Sequence, residues 1–265
     1  MVALWGGPCV EVKLRVLRAR MGSYRNIVFI ILLTVRLWGV PEAVEARGIR
    51  EDFQTWGVIF ATGSFAMIDH RWTRFQYSME AQGRFGNDSS TFSQGIIRPA
   101  LGYAVTDHTS VWLGGDWVPP SDPFVMNDDF NEYRSWQQVL WSDTFSVGTV
   151  TSRGRFEQRF FDRPGTEEVG YRYRHLLKLS IPLPFLNPDV SLILADEIFV
   201  NFTHADVIPS RQGLEQNRAI AGFSYRINQT TTVECAYMNQ YLSRNNTPQP
   251  DQLQHVLLTT ILFNF

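Results

Sequence analysis

Apolar and polar side chains alternate through most of the chain beyond its first fifty or so residues, and the run at residues 253–265, LQHVLLTTILFNF, shows it most fully. Leu253, His255, Leu257, Thr259, Ile261, Phe263 and Phe265 share one face, and Gln254, Val256, Leu258, Thr260, Leu262 and Asn264 share the other. Successive side chains of a strand point to opposite sides, so a period of two predicts β-structure. In residues 71–85, Thr73, Phe75, Tyr77, Met79 and Ala81 interleave with Arg74, Gln76, Ser78, Glu80 and Gln82, so one face is apolar and the other suits only water. The same theme marks residues 92–105, 109–119, 131–142, 144–160, 170–182, 189–200, 215–227 and 230–241, and more weakly 54–63, where Trp56, Val58 and Phe60 share a side. No helical period appears in this part of the chain.

A soluble sandwich and a membrane barrel both use such strands, but a sandwich rarely strings so many long ones together. The expectation is therefore an all-β fold, an antiparallel up-and-down transmembrane β-barrel of 10 to 12 strands. Connectors support it. Short links at 106–108, around Asp143 and at 228–229, with a compact proline-bounded link at 182–188, alternate with longer polar stretches at 86–90, 120–130, 161–169, 201–214 and 242–251. Short turns at one end and long loops at the other are the pattern of bacterial barrels. About eleven segments are visible, which is the wrong parity for an even-stranded barrel, so 54–63 is expected to lie in the lumen or to pair irregularly, leaving ten, or an unrecognised partner strand makes twelve. Trp72, Trp112, Trp117, Trp136, Trp141, Tyr171, Tyr173, Tyr237 and Tyr241 fall towards strand ends, where an aromatic girdle would lie.

The amino-terminal stretch differs in kind. From Met21, Arg25 precedes an apolar run at 27–40, and the small residues Val44 and Ala46 close the segment, the layout of a secretory signal peptide. Arg36 interrupts a run already short for a permanent span. The expected organisation is a leader and signal peptide over 1–46, starting at Met1 or Met21, and one barrel domain over 47–265. Of the two cysteines, Cys9 would leave with the leader, so Cys235 has no disulfide partner in the exported chain. A net charge of -2 lacks the basic surplus that nucleic-acid binding requires.

Ionisable residues concentrate on four consecutive segments: Arg153, Arg155, Glu157 and Arg159, then Arg172, Arg174 and Lys178, then Asp196 and Glu197, then Asn217 and Arg218. Tyr171, Tyr173 and His175 alternate with Arg172 and Arg174, and a charge on the lipid side costs about 2–4 kcal/mol at mid-depth, so the charges are assigned to the lumen. The expected lumenal cluster is Glu157, Arg159, Arg172, Arg174, Asp196, Glu197, Asn217 and Arg218. It has two readings, a salt-bridged plug of a narrow barrel, which is preferred, and a site for small anionic solutes, since arginines outnumber carboxylates.

RFEQRF at 155–160, YRYR at 171–174, DEIFVNF at 196–202, QNR at 216–218 and YMNQ at 237–240, with the terminal strand, resemble the bacterial domain-of-unknown-function 2490 family over nearly the whole exported chain. The resemblance implies an outer-membrane-associated barrel and carries no activity. His108, Thr109 and Ser110 have the His and Ser spacing of outer-membrane lipid hydrolases, but at a short turn and with no orienting group beyond Asp107, so an enzyme is not expected. His70, His175, His204 and His255 are isolated, and His204 with Asp206 reads as a solvated loop, so no metal or cofactor is expected. Expected partners are outer-membrane lipid of a Gram-negative cell and the barrel-assembly machinery, which would read the strand ending at Phe265.

Overall fold

A computed structural model describes residues 48–119, 131–162, 169–203, 212–244 and 250–265. The leader and the residues His204 and Asp206 lie outside the described residues. Eleven strands follow in chain order: β1 (Arg50–Ser64), β2 (Phe75–Gly86), β3 (Thr91–Ala104), β4 (Thr109–Val118), β5 (Glu132–Phe145), β6 (Gly148–Phe161), β7 (Gly170–Pro182), β8 (Val190–Asn201), β9 (Gly213–Arg226), β10 (Thr231–Leu242) and β11 (Gln252–Asn264). Each pairs with its neighbours in sequence, and β1 closes the barrel against β11.

That closure corrects the expected topology. β1 and β11 run parallel, with Arg50 opposite Gln252 and Thr62 opposite Asn264, while every other pair is antiparallel. In an up-and-down order with an odd number of strands, the first and last necessarily point the same way. The sheet is therefore mixed rather than wholly antiparallel. Among the described residues there are eleven strands, within the expected range of 10 to 12 but neither the ten nor the twelve that parity suggested, and the segment 54–63 is neither lumenal nor irregular: it is the middle of β1, bonded on both sides. Closure leaves no unpaired edge, which would otherwise be a row of unsatisfied backbone groups.

The connectors also depart in detail from the expected pattern. Asp143 lies within β5, and the tight hairpin is at residues 146–147, entering β6 at Gly148. Gly148 has φ +151°, and a Cβ there would collide with the Ser180 carbonyl, so only glycine fits. The link between β2 and β3 is a short turn in which Asn87, Asp88 and Ser89 all take left-handed backbone angles (φ 53°, 54° and 61°). The Asp52 carboxylate holds this turn by accepting from the backbone N–H of Asn87 (3.3 Å) and Asp88 (3.1 Å). At the other end of the barrel, the connector from β1 to β2 is long and contains two 3-10 turns, Phe65–Met67 and His70–Trp72. Asp69 caps the second by accepting from Arg71 N–H, and the Arg71 guanidinium and this backbone bond hold its carboxyl below the usual range.

Alternation sorts the wall into two faces. Outward lie Phe53, Ile59, Met79, Ile97, Leu101, Val111 and Leu113, all well exposed. Inward lie two apolar clusters, Trp56 with Met238 and Val256, and Ala100 with Trp112 and Trp136. Trp112 and Trp136 thus leave the expected girdle: they are 8% and 2% exposed and fill the lumen. Their rings lie over glycines on the preceding strands, Trp112 over Gly102 and Trp136 over Gly114. Small residues opposite large ones let neighbouring strands share the limited space of a barrel interior. Gly114→Ala puts a methyl where the Trp136 ring now sits, and it should lower stability by about 1–3 kcal/mol, the usual range for overpacking. Denaturant titration of the refolded barrel measures this.

Candidate functional site: a lumenal arginine–carboxylate network

Inward positions on β2 to β9 carry a continuous chain of ion pairs towards the end where the long loops lie. Sheet register sets much of it, because Glu80 is directly opposite Arg98, Asp116 opposite Arg134, Glu157 opposite Arg172, and Glu197 opposite Arg218. Opposite charges on facing positions are the sheet's own stabilising pairs.

The chain runs as follows. Arg98 donates to Glu80 and, through Nε, to Asp116 (2.8 Å). Arg134 reaches the other Asp116 oxygen (3.4 Å) and grips Glu132 with both Nε and Nη2 (2.8 and 2.9 Å). Arg159 Nε also donates to Glu132, and its Nη1 lies 3.6 Å from Glu215. Arg172 joins Glu215 (3.0 Å) to Glu157, on which Nε and Nη2 converge at 2.8 and 2.5 Å. Arg174 sits between Glu157 and Glu197 at 3.4 and 3.6 Å. Glu197 ends the chain by accepting from Arg153 (2.7 Å) and Arg218 (3.3 Å). Glu157 is 0% exposed and Glu197 4%.

Aromatic rings support the cations. The Arg155 guanidinium lies 3.7 Å from the Trp136 ring and Arg84 3.8 Å from Trp56. Arg218 approaches both Trp56 (5.1 Å) and Phe199 (4.7 Å). Ring faces carry partial negative charge and attract cations. Among the described residues Arg155 and Arg84 have no carboxylate partner: Arg155 bonds Gln138 through Nε and Nη2 (2.9 and 2.7 Å), and Arg84 bonds Gln94 and Gln82 (2.7 and 3.1 Å). Nearer the short-turn end, Lys178 pairs with Glu234 (2.7 Å), and inward Val58, Phe60, Thr151, Leu176 and Leu262 are only half-buried.

Six of the expected residues meet in this network, namely Glu157, Arg159, Arg172, Arg174, Glu197 and Arg218. Two do not. Asp196 and Asn217 point outward, where the Asn217 amide donates to both Asp196 oxygens (3.2 and 3.1 Å). Adjacent residues of a strand face opposite ways, so once Glu197 is buried in the lumen Asp196 must leave it. The cluster expected from four strands also misses Glu80, Arg98, Asp116, Glu132, Arg134 and Glu215, together with Arg153, which stands on one of the four charged segments but outside the expected cluster. Each of the first five stands singly or in a pair among uncharged neighbours, so local charge density gives no hint of it, but the parity of inward positions would have found it.

The proposed His and Ser spacing does not make a dyad. His108 lies in a turn 3.5 Å from Asp143, and the Ser110 hydroxyl accepts from Trp112 Nε1 (2.8 Å). Among the described residues no three His, Cys, Asp or Glu side chains gather as metal ligands.

The family model described as "Protein of unknown function (DUF2490)" matches residues 53–251. This chain belongs to the DUF2490 family. An uncharacterized protein of Methylorubrum extorquens is 33% identical over 191 residues, covering 71% of this chain and 80% of that one. No solved structure matches significantly. The matched DUF2490 region starts inside β1 and ends just before β11, so it contains every residue of the lumenal network.

Proposed function

We propose that this DUF2490 chain is an outer-membrane β-barrel whose lumen is shut by its own side chains. One observation carries the reading: the ion-pair chain crosses the interior from β2 to β9 with its carboxylates and arginines almost wholly buried. Side chains, rather than a water column, fill such a cross-section. The apolar outward face and the absence of a sheet edge support a bilayer location, where every backbone group needs a partner within the sheet. A cleaved signal peptide before residue 47 and recognition of β11 by the assembly machinery belong to the same reading. Phe265 is well placed for the latter, being exposed, with its N–H bonded to the Thr62 carbonyl.

A second reading, a binding barrel or narrow path for small anions, draws on Arg84 and Arg155, which pair with no carboxylate among the described residues. Catalysis is not part of either reading. Outward Ser152 lies 3.3 Å from His175 Nε2, but the backbone around Ser152 is paired on both sides, leaving no free N–H groups to stabilise an oxyanion.

Single-channel recording of the refolded protein separates the readings. A closed barrel gives silence across salts and voltages, and a reproducible anion-selective conductance abolished by Arg155→Gln overturns it. On gels the folded protein should migrate differently before and after boiling. Deletion of Phe265 should lower the amount assembled in the outer membrane while export continues.

A further inference from the structure

The outer wall is not uniform. On β1 to β4 the outward positions are apolar or glycine apart from Glu51, Thr55 and Thr109, none of them at mid-strand, whereas the middle of the wall from β6 to β9 carries His175, Asp196 and Asn217. Asp196 lies near the centre of β8 and has the Asn217 amide as partner, with no arginine or lysine among the described residues paired to it. His175, on the adjacent strand, lies 3.3 Å from both the Ser152 and Tyr173 hydroxyls and pairs with no carboxylate of the described residues.

On the outer-membrane reading this wall would set an ionisable group among acyl chains at mid-depth. Such groups are rare there and normally face protein or water. A surface that carries an acid and a base on neighbouring strands, each without a counter-ion, is complementary to itself. A two-fold axis brings residue i of one copy against residue j of the other, and j against i. We infer that the β6 to β9 wall is the interface of a homodimer, in which Asp196 of each copy faces His175 of the other. The apolar β1 to β4 wall then remains towards lipid.

Cysteine cross-linking in the full chain tests this and depends on the outer-membrane reading in a separable way. Ala219 is exposed and directly opposite Asp196 in the register, so Ala219→Cys in a Cys235→Ser background probes the wall. Leu113→Cys, in the same background, probes the apolar wall. In intact outer membranes treated with a flexible bifunctional maleimide, Ala219→Cys should run largely as a covalently linked dimer and Leu113→Cys as a monomer. Adding Asp196→Lys should abolish the dimer, and combining it with His175→Asp should restore it. A heat-modifiable outer-membrane protein in which Ala219→Cys stays monomeric, or in which both cysteines cross-link equally, overturns the dimer and leaves the membrane reading intact. Recovery in the soluble fraction overturns both.

Discussion

Glu157→Gln is expected to destabilise the folded barrel by about 3–5 kcal/mol, the range for removing one partner of a buried ion pair. The carboxylate is fully buried and accepts two bonds from Arg172, with Arg174 3.4 Å away. Glutamine keeps the shape and leaves both guanidinium groups short of a negative charge. Arg172 retains Glu215 and Arg174 retains Glu197, which holds the loss towards the lower end of that range. Adding Arg172→Gln should recover part of the stability by removing the stranded cation. Guanidinium unfolding of the four proteins of this cycle measures the coupling, and strictly additive losses would mean that the two side chains do not interact.

Leu113→Arg should have the second large effect, and its size distinguishes a membrane wall from a wet one. Leu113 lies in the middle of β4, faces outward and is 65% exposed. Against acyl chains an arginine there costs about 2–4 kcal/mol. Against water, a surface substitution of this kind stays within about 0.5 kcal/mol. Folding equilibria in lipid vesicles give the number directly. A loss below 1 kcal/mol would be inconsistent with a β4 wall buried in the bilayer, and the shut-barrel reading would then have to be rebuilt for a soluble protein. The same substitution at Val118, which points into the lumen at the end of β4, is no control, because it would disturb the packed interior.

The strands were legible because each carries its own evidence. Leu253 to Phe263 alternate on β11 and Phe75 to Ala81 on β2, and a strand's two faces are set by backbone geometry alone. Glu157, Arg172 and Arg174 could be assigned to the lumen for the same reason, since their neighbours Phe156, Tyr171 and Tyr173 are aromatic and must face the other way. Asp196 could have been separated from Glu197 by this rule. Treating the two carboxylates as one charged unit hid it. Trp112 and Trp136 read as girdle residues because aromatic side chains near strand ends suit an interface, and only the glycines across from them show that they pack inward.

The amino-acid sequence by itself therefore determined the approximate course of the strands, which side chains share a face, and that most arginines and carboxylates of β6 to β9 are placed on inward faces. Those are properties of neighbours along the chain. The tertiary structure alone decided that β1 pairs in parallel with β11, and that Glu80, Arg98, Asp116, Glu132 and Arg134 join the cluster from β6 to β9. Closure and cross-lumen contact depend on the register between strands far apart in the chain. That register is set by the packing of the whole barrel, and no local period of hydrophobic and polar residues encodes it.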